Sequence, residues 1–181
     1  MDENGNIISQ EVFEKFSKEV DGALEILNKK STAWIPKKIA ERLPGALYKT
    51  YNLGPAKSGT ILYHYTNKAG FDGITTKNAT QLNILRPSLT TSTPNHAHFG
   101  SGYYLSTHAK NSKKLTELST DFVGSPSETR RFTHCVAIDV SGLNVYRGVG
   151  GRSEVYLIRG TSDWDITSRI RMDLSGENIK K

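Results

Sequence analysis

The chain has 181 residues, 36% of them hydrophobic and 23% charged, a balance that fits one compact globular domain with an appendage and excludes a disordered or fibrous protein. Its apolar runs, such as Cys135 to Ile138, are far too short to span a bilayer as a helix, and the acidic opening Met1-Asp2-Glu3-Asn4-Gly5 lacks the apolar stretch of a secretory signal. Net charge is +6; residues 1–58 hold 9 Lys+Arg against 8 Asp+Glu and residues 59–181 hold 15 against 10, so the later part carries +5 of the excess.

Val12, Phe13, Phe16, Val20, Leu24 and Leu27 recur at spacings of three and four and predict a helix. Ser9 offers its N-cap, and Asn28-Lys29-Lys30 marks its end. A second, shorter helix is expected from Pro36, which suits a first turn, to about Leu43 before Pro44-Gly45. Residues 1–55 are therefore expected to form a helical N-terminal extension and residues 56–175 the functional domain. From Gly59 the pattern changes. Thr60-Ile61-Leu62-Tyr63-His64-Tyr65 is rich in β-branched and aromatic residues and reads as a strand. Asn67 to Ile74 reads as a short helix capped by Asn67. A polar loop follows from about Ser88 to Gly100, and loops of that length are usually functional or mobile. Gly102-Tyr103-Tyr104-Leu105-Ser106 enters a second strand, and a basic helix-like stretch runs on through Leu118.

Phe132 to Val140 is expected to be a strand that turns at Ser141-Gly142 into Leu143-Asn144-Val145-Tyr146. Cys135 within it is the lone cysteine, so no intrachain disulfide or cysteine-rich zinc site can form. It reads as a small buried hydrophobe in a fold suited to a reducing cytosol. After a glycine loop at residues 148–151, Glu154-Val155-Tyr156-Leu157-Ile158 is the last strand predicted. Strands with interspersed short helices in this order indicate an α+β fold.

Three stretches carry chemistry: Tyr63-His64-Tyr65-Thr66, Phe99-Gly100-Ser101-Gly102-Tyr103-Tyr104, and Glu154 at the head of its strand. Each alone has a plain structural reading. His64 can be a satisfied strand histidine, the glycine pair a tight turn, and Glu154 a solvated carboxylate. Together they fit cleavage of the nicotinamide–ribose bond of NAD⁺, which passes through an oxocarbenium-like centre. An imidazole can hold a ribose hydroxyl, a tyrosine face can stack on nicotinamide, and a carboxylate can stabilise the positive charge and align an acceptor. The five histidines show no conventional zinc spacing, so no metal is expected.

The same stretches resemble the His–Tyr–Glu group of ADP-ribosyltransferases, which includes diphtheria toxin and the poly-ADP-ribose polymerases. More closely, the chain is similar to a bacterial polymorphic-toxin family of ADP-ribosyltransferases named for a His-Tyr-Asp signature. The likeness runs through Leu62 to Thr66, Leu85-Arg86-Pro87-Ser88, Phe99 to Ser106, Arg131 to His134, Ala137 to Val145 and Asp165 to Ile170. It implies a split mixed β-sheet ADP-ribosyltransferase fold with NAD as substrate. By this resemblance His64 binds the nicotinamide ribose with Thr66 supporting the turn, and the Tyr65 backbone bonds the nicotinamide amide. Tyr104 stacks on the ring, and Ser106 returns to the ligand side, whereas Tyr103 points away. Glu154 is the first candidate for the catalytic acid, Asp139 its rival, and Asp165 the third choice. Two departures stand out. The region where relatives place a second stacking aromatic reads Lys113-Lys114-Leu115-Thr116, leaving Phe122 as substitute. Arg152 occupies the place of an acidic partner two before Glu154, which argues against arginine acceptors.

The function expected is a toxin that transfers ADP-ribose to a cytosolic macromolecule. The basic excess tilts the acceptor towards RNA or another nucleic acid over protein. A cognate antitoxin or immunity protein is an expected partner, and a membrane is not. The alternatives are an NAD glycohydrolase and a non-catalytic module that reads ADP-ribose or RNA.

Overall fold

The computed structural model describes residues 50–92, 96–97, 99–148 and 154–180. The two helices expected before residue 50 lie outside them, as does the glycine loop expected at 148–151 except for Gly148, which is the last residue of a strand. Nine strands and two α-helices alternate in the described chain, an α+β arrangement. The strands are β1 (Thr50–Pro55), β2 (Ile61–Thr66), β3 (Ile84–Leu85), β4 (Gly102–Leu105), β5 (His134–Asp139), β6 (Asn144–Gly148), β7 (Tyr156–Arg159), β8 (Trp164–Asp165) and β9 (Ile170–Glu177). Helix α1 (Lys68–Thr75) begins where Asn67 Oδ1 accepts the Gly70 N–H at 2.8 Å, the cap that the sequence predicts. Helix α2 (Leu115–Val123) ends at Gly124, whose φ of +76° closes it in the left-handed region. It therefore runs further than the basic stretch expected through Leu118.

The strands form one sheet in the order β1-β6-β7-β4, a second in the order β2-β5-β9, and the ribbon β3-β8. Every named pairing among the described residues is antiparallel, where a mixed sheet was expected. β1 lies within residues 1–55, which the sequence reading gave to the helical extension, yet it is hydrogen-bonded to β6.

Among the described residues, one main-chain bridge joins the two larger sheets. Tyr63 on β2 exchanges main-chain bonds with Ser106 just past β4, at 2.9 and 2.8 Å. Moving from that pair along both antiparallel strands brings Tyr65 opposite Tyr104, and no ladder joins them. The sheets part there. The reason is partly the side-chain pattern, because alternate residues on each strand serve different cores. Leu62, Val136 and Ile138 of the three-stranded sheet pack with Tyr103, Leu105 and Ile158 of the four-stranded sheet. Tyr63, Tyr65, Cys135 and Ala137 instead face Leu118 of α2 and Phe132. A third cluster joins Phe99, Val155 and Leu157, with Tyr104 and Phe122 against it. Cys135 is fully buried, and burial pushes its thiol up to about 11, so it behaves as the inert hydrophobe its neighbours imply.

Candidate active site

Where the sheets part, a cavity of about 310 Å³ opens, lined by residues that include His64, Tyr65, Thr66, Tyr104, Phe122 and Val155. His64 and Tyr104, forty positions apart, thus reach one cleft. They also touch: the His64 Nδ1–H donates to the Tyr104 carbonyl at 3.1 Å. A carbonyl can only accept, so Nδ1 carries the proton and Nε2 is left as an acceptor. Burial lowers the His64 pKa, partly offset by the bond to Tyr104, and the ring is neutral at pH 7.

Tyr104 is held at its hydroxyl, leaving its ring as the functional surface. Its O–H donates to the Gly100 carbonyl at 2.6 Å and accepts the Phe99 N–H at 2.9 Å. Burial raises its pKa, so the phenol stays protonated. The turn at Phe99-Gly100 is itself clamped by Arg159 at the end of β7. Its Nη1 donates to the Phe99 carbonyl at 2.5 Å, its Nη2 donates to Thr50 Oγ1 at 2.7 Å, and the guanidinium sits 5.2 Å from the Tyr146 ring centroid. Gly100 has φ of +98°, and a Cβ there would lie 2.5 Å from Arg159 Nη1. Gly102 permits a close crossing, since a Cβ would meet the Ile158 carbonyl at 2.5 Å. The glycine pair therefore brings β4 against β7 and aims Tyr104. Tyr103, as alternation predicts, points into the inter-sheet core, where its ring lies 5.0 Å from Trp164 and its O–H donates to the Ser162 carbonyl.

Main-chain direction adds two groups to the cleft. Thr60 pairs with Val140 across β5, so the even-numbered residues of β2 bond to β5 and the odd ones face the other edge. The Tyr65 N–H and C=O, like those of Tyr63, consequently point into the opening. The Tyr65 side chain goes elsewhere: its buried O–H donates to the carbonyls of His108 and Ala109 at 2.8 and 3.1 Å. Phe122 comes from α2 to line the cleft, with its ring 5.6 Å from Phe132.

Glu154 lies one residue before Val155, which lines the cleft. Its Oε2 accepts from His108 Nε2 at 3.2 Å, and its side chain is 43% exposed. His108 is fixed in turn, because its N–H donates to Ser106 Oγ at 3.0 Å and its carbonyl takes the Tyr65 hydroxyl. Asp121 on α2 lies in the field of both Glu154 and His108, and its buried Oδ2 has no hydrogen-bond partner among the described residues. Burial, then the Glu154 charge, raises its pKa.

Glu154 itself is not among the residues that line the cleft, and neither are Asp139, Asp165 and Ser106. Asp139 sits at the far end of β5, paired with Ile61. Its Oδ1 accepts from the Ser141 N–H at 2.9 Å and from the Ser141 hydroxyl, and its Oδ2 bonds Arg171 at 2.9 Å. These partners hold it below the usual carboxylate range, and its visible work is the Ser141-Gly142 turn. Asp165 likewise binds Thr167, through its N–H at 2.9 Å and its hydroxyl at 2.6 Å. Ser106 is fully buried and bonds the His108 N–H, so it supports the cleft from behind. Arg86, His96, Phe99, Arg131 and Phe132 also line the cavity. Phe99, Arg86 and Arg131 occur in motifs that sequence reasoning quoted without a role; His96 falls within the polar loop expected from about Ser88 to Gly100. Arg159 and His108 carry no sequence signal at all.

Comparison with curated proteins and with solved structures returns no match. Residues 62–170, more than half of the chain, match the family described as HYD1 signature containing ADP-ribosyltransferase, and every cleft residue named above from His64 to Val155 falls inside that span. The chain belongs to this ADP-ribosyltransferase toxin family.

Proposed function

We propose that this protein cleaves the nicotinamide–ribose bond of NAD⁺ and transfers ADP-ribose to a cytosolic macromolecule, with nucleic acid the favoured acceptor. The convergence of the His64 imidazole and the Tyr104 ring on one cleft carries the reading. In this scheme the nicotinamide ring lies on Tyr104, opposite Phe122, while its amide bonds the Tyr65 N–H and C=O. The neutral His64 accepts a ribose hydroxyl proton at Nε2, and Thr66 lines the adjoining wall. The C–N bond breaks with its electron pair leaving on nicotinamide, which becomes neutral. The ribose C1 then carries the positive charge, and Glu154 stabilises it and takes the proton as the acceptor attacks. Glu154 fits this role better than Asp139 because its neighbour Val155 forms the cleft wall, whereas Asp139 is committed to Arg171 and Ser141.

The basic excess of residues 59–181 supports a nucleic-acid acceptor, for which phosphate attraction supplies much of the affinity. The test is incubation with labelled NAD⁺ in a cell lysate, followed by separation of RNA, protein and small molecules. Label on RNA is the expected result, and label on protein would move the acceptor. Release of ADP-ribose alone would make the protein a glycohydrolase. No consumption of NAD⁺ would overturn the reading.

A further inference from the structure

The scheme above leaves one acid beside the cleft unused. Asp121 lies on α2 directly before Phe122, and Glu154 lies directly before Val155. Phe122 packs against the apolar cluster that contains Val155, and both line the cavity, so the two carboxylates sit behind adjoining stretches of wall. Asp121 is half-buried, and its Oδ2 is sealed from solvent with no hydrogen-bond partner among the described residues. The charged groups facing it are Lys113 just before α2, Glu117 on its own helix, His108 and Glu154. Burial is the largest influence and raises its pKa; the charges of Glu154 and Glu117 add to this, whereas Lys113 and His108 oppose it. Leaving a carboxylate oxygen dry and unpaired is costly. The packing of α2 does not call for it, since Leu115, Leu118, Phe122 and Val123 supply the helix's apolar contacts.

We infer that Asp121 is a second carboxylate of the reacting centre, whose field adds to that of Glu154 at the ribose C1 as the C–N bond of NAD⁺ breaks. This rests on the NAD⁺ reading above and deepens it. The two acids then divide the work. Glu154 is partly exposed and directed by His108, so it can meet the acceptor and take its proton. Asp121 acts through its charge alone: no bond forms to it, and no proton passes through it. A hydrated or hydrogen-bonded carboxylate is screened, whereas one without partners in a wall of low dielectric projects its charge further. Such a fixed charge destabilises the resting protein but needs no reorganisation when positive charge develops on the ribose.

NAD⁺ turnover and thermal melting of the full chain carrying Asp121→Asn test this together, since the change keeps the side chain's size and removes its charge. kcat is expected to fall about tenfold at unchanged KM, the scale of one charge acting through protein on the transition state. Tm is expected to equal or exceed that of the wild type at pH 7–8, because an unpaired buried charge is gone. The folded pKa of Asp121 lies above its ordinary value, so the cost of its charge is present above that pKa and vanishes as pH falls below about 4, where the two melting curves should converge. The acid limb of kcat is a readout that a purely structural role would not move: the wild type should lose activity in two steps, and the variant should lack the upper one. Asp121→Glu restores a charge and should recover part of kcat. Unchanged kcat with parallel acid limbs overturns the role of Asp121 and leaves the NAD⁺ reading standing. A Tm that falls along with kcat also overturns it, making Asp121 a fold residue. A wild-type chain that consumes no NAD⁺ overturns both.

Discussion

At the residue scale, His64 and Glu154 each depend on one neighbour. Glu154 is partly exposed, and the His108 bond is what fixes its direction. Glu154→Gln is expected to lower turnover by at least about 100-fold with NAD⁺ affinity and fold retained. His108→Ala should lower kcat by about tenfold at unchanged KM, because it frees Glu154 without touching substrate. His108→Gln, which keeps an N–H donor, should recover most of that loss. A fall in KM and kcat together with a lower Tm would reduce His108 to a fold residue. His64 makes a separate prediction through pH. Its folded pKa lies below the ordinary value near 6.5 because the ring is buried. The unfolded chain therefore binds a proton that the folded one refuses, so the neutral ring's contribution is intact above pH 6.5 and is lost as pH falls towards the folded pKa. Thermal melts of wild type and His64→Gln should diverge accordingly: the wild type loses more Tm between pH 7 and pH 5 than the variant does. Parallel curves would mean that His64 is not held neutral by the fold.

At the element scale, the turn between Phe99 and Tyr104 couples β4 to β7. Gly100 combines a positive φ with the Arg159 guanidinium pressed against the place of a Cβ. Gly100→Ala is expected to cost about 1–3 kcal/mol, the range for a strained backbone position. Because the Gly100 carbonyl takes the Tyr104 hydroxyl, the damage should also reach nicotinamide binding. Melting and nicotinamide titration of one variant check both. An unchanged Tm with normal binding would show that the turn tolerates a side chain and does not aim Tyr104. Much at this scale was legible in the sequence. The β-branched and aromatic run at 60–65, the Asn67 cap and the apolar stretch at 135–138 each announce their element by local chemistry. β9 was not. Its apolar residues Met172 and Leu174 are exposed while Ser175 is buried, donating to the Arg171 carbonyl and accepting from the Ala137 N–H. The β5–β9 register also shifts between Cys135 and Ala137, so the alternation that marks a half-buried strand is absent. The two-residue strands β3 and β8 are too short for any period to show.

At the scale of the whole molecule, the cleft opens where two sheets, bridged among the described residues by Tyr63 and Ser106, separate. The motifs named His64, Tyr104 and Glu154 in sequence, and their residue types were readable because the chemistry limits the choices. Their supports were not readable. His108 behind Glu154, Arg159 behind the Phe99-Gly100 turn and Arg131 in the cleft wall are ordinary surface-type residues until the chain brings them inward. The strand at 50–55 was hidden within the expected helical extension for a related reason: β1 has no strong strand pattern, and its pairing comes from β6. That difference is measurable. The three apolar clusters formed among the described residues lie within residues 50–178, so a chain beginning at Thr50 keeps every described core contact. One beginning at Ala56 loses the β1–β6 ladder and the Arg159–Thr50 bond, leaving β6 as an open edge and the Arg159 clamp half unmade. The longer version is expected to melt cooperatively and bind NAD⁺ as the full chain does. The shorter is expected to melt several degrees lower, since about 1–2 kcal/mol corresponds to roughly that shift in a domain of this size. Its NAD⁺ affinity should also fall, through the loosened turn that holds Tyr104. Equal stability in the two truncations would mean that β1 is dispensable and that the catalytic unit begins after residue 55.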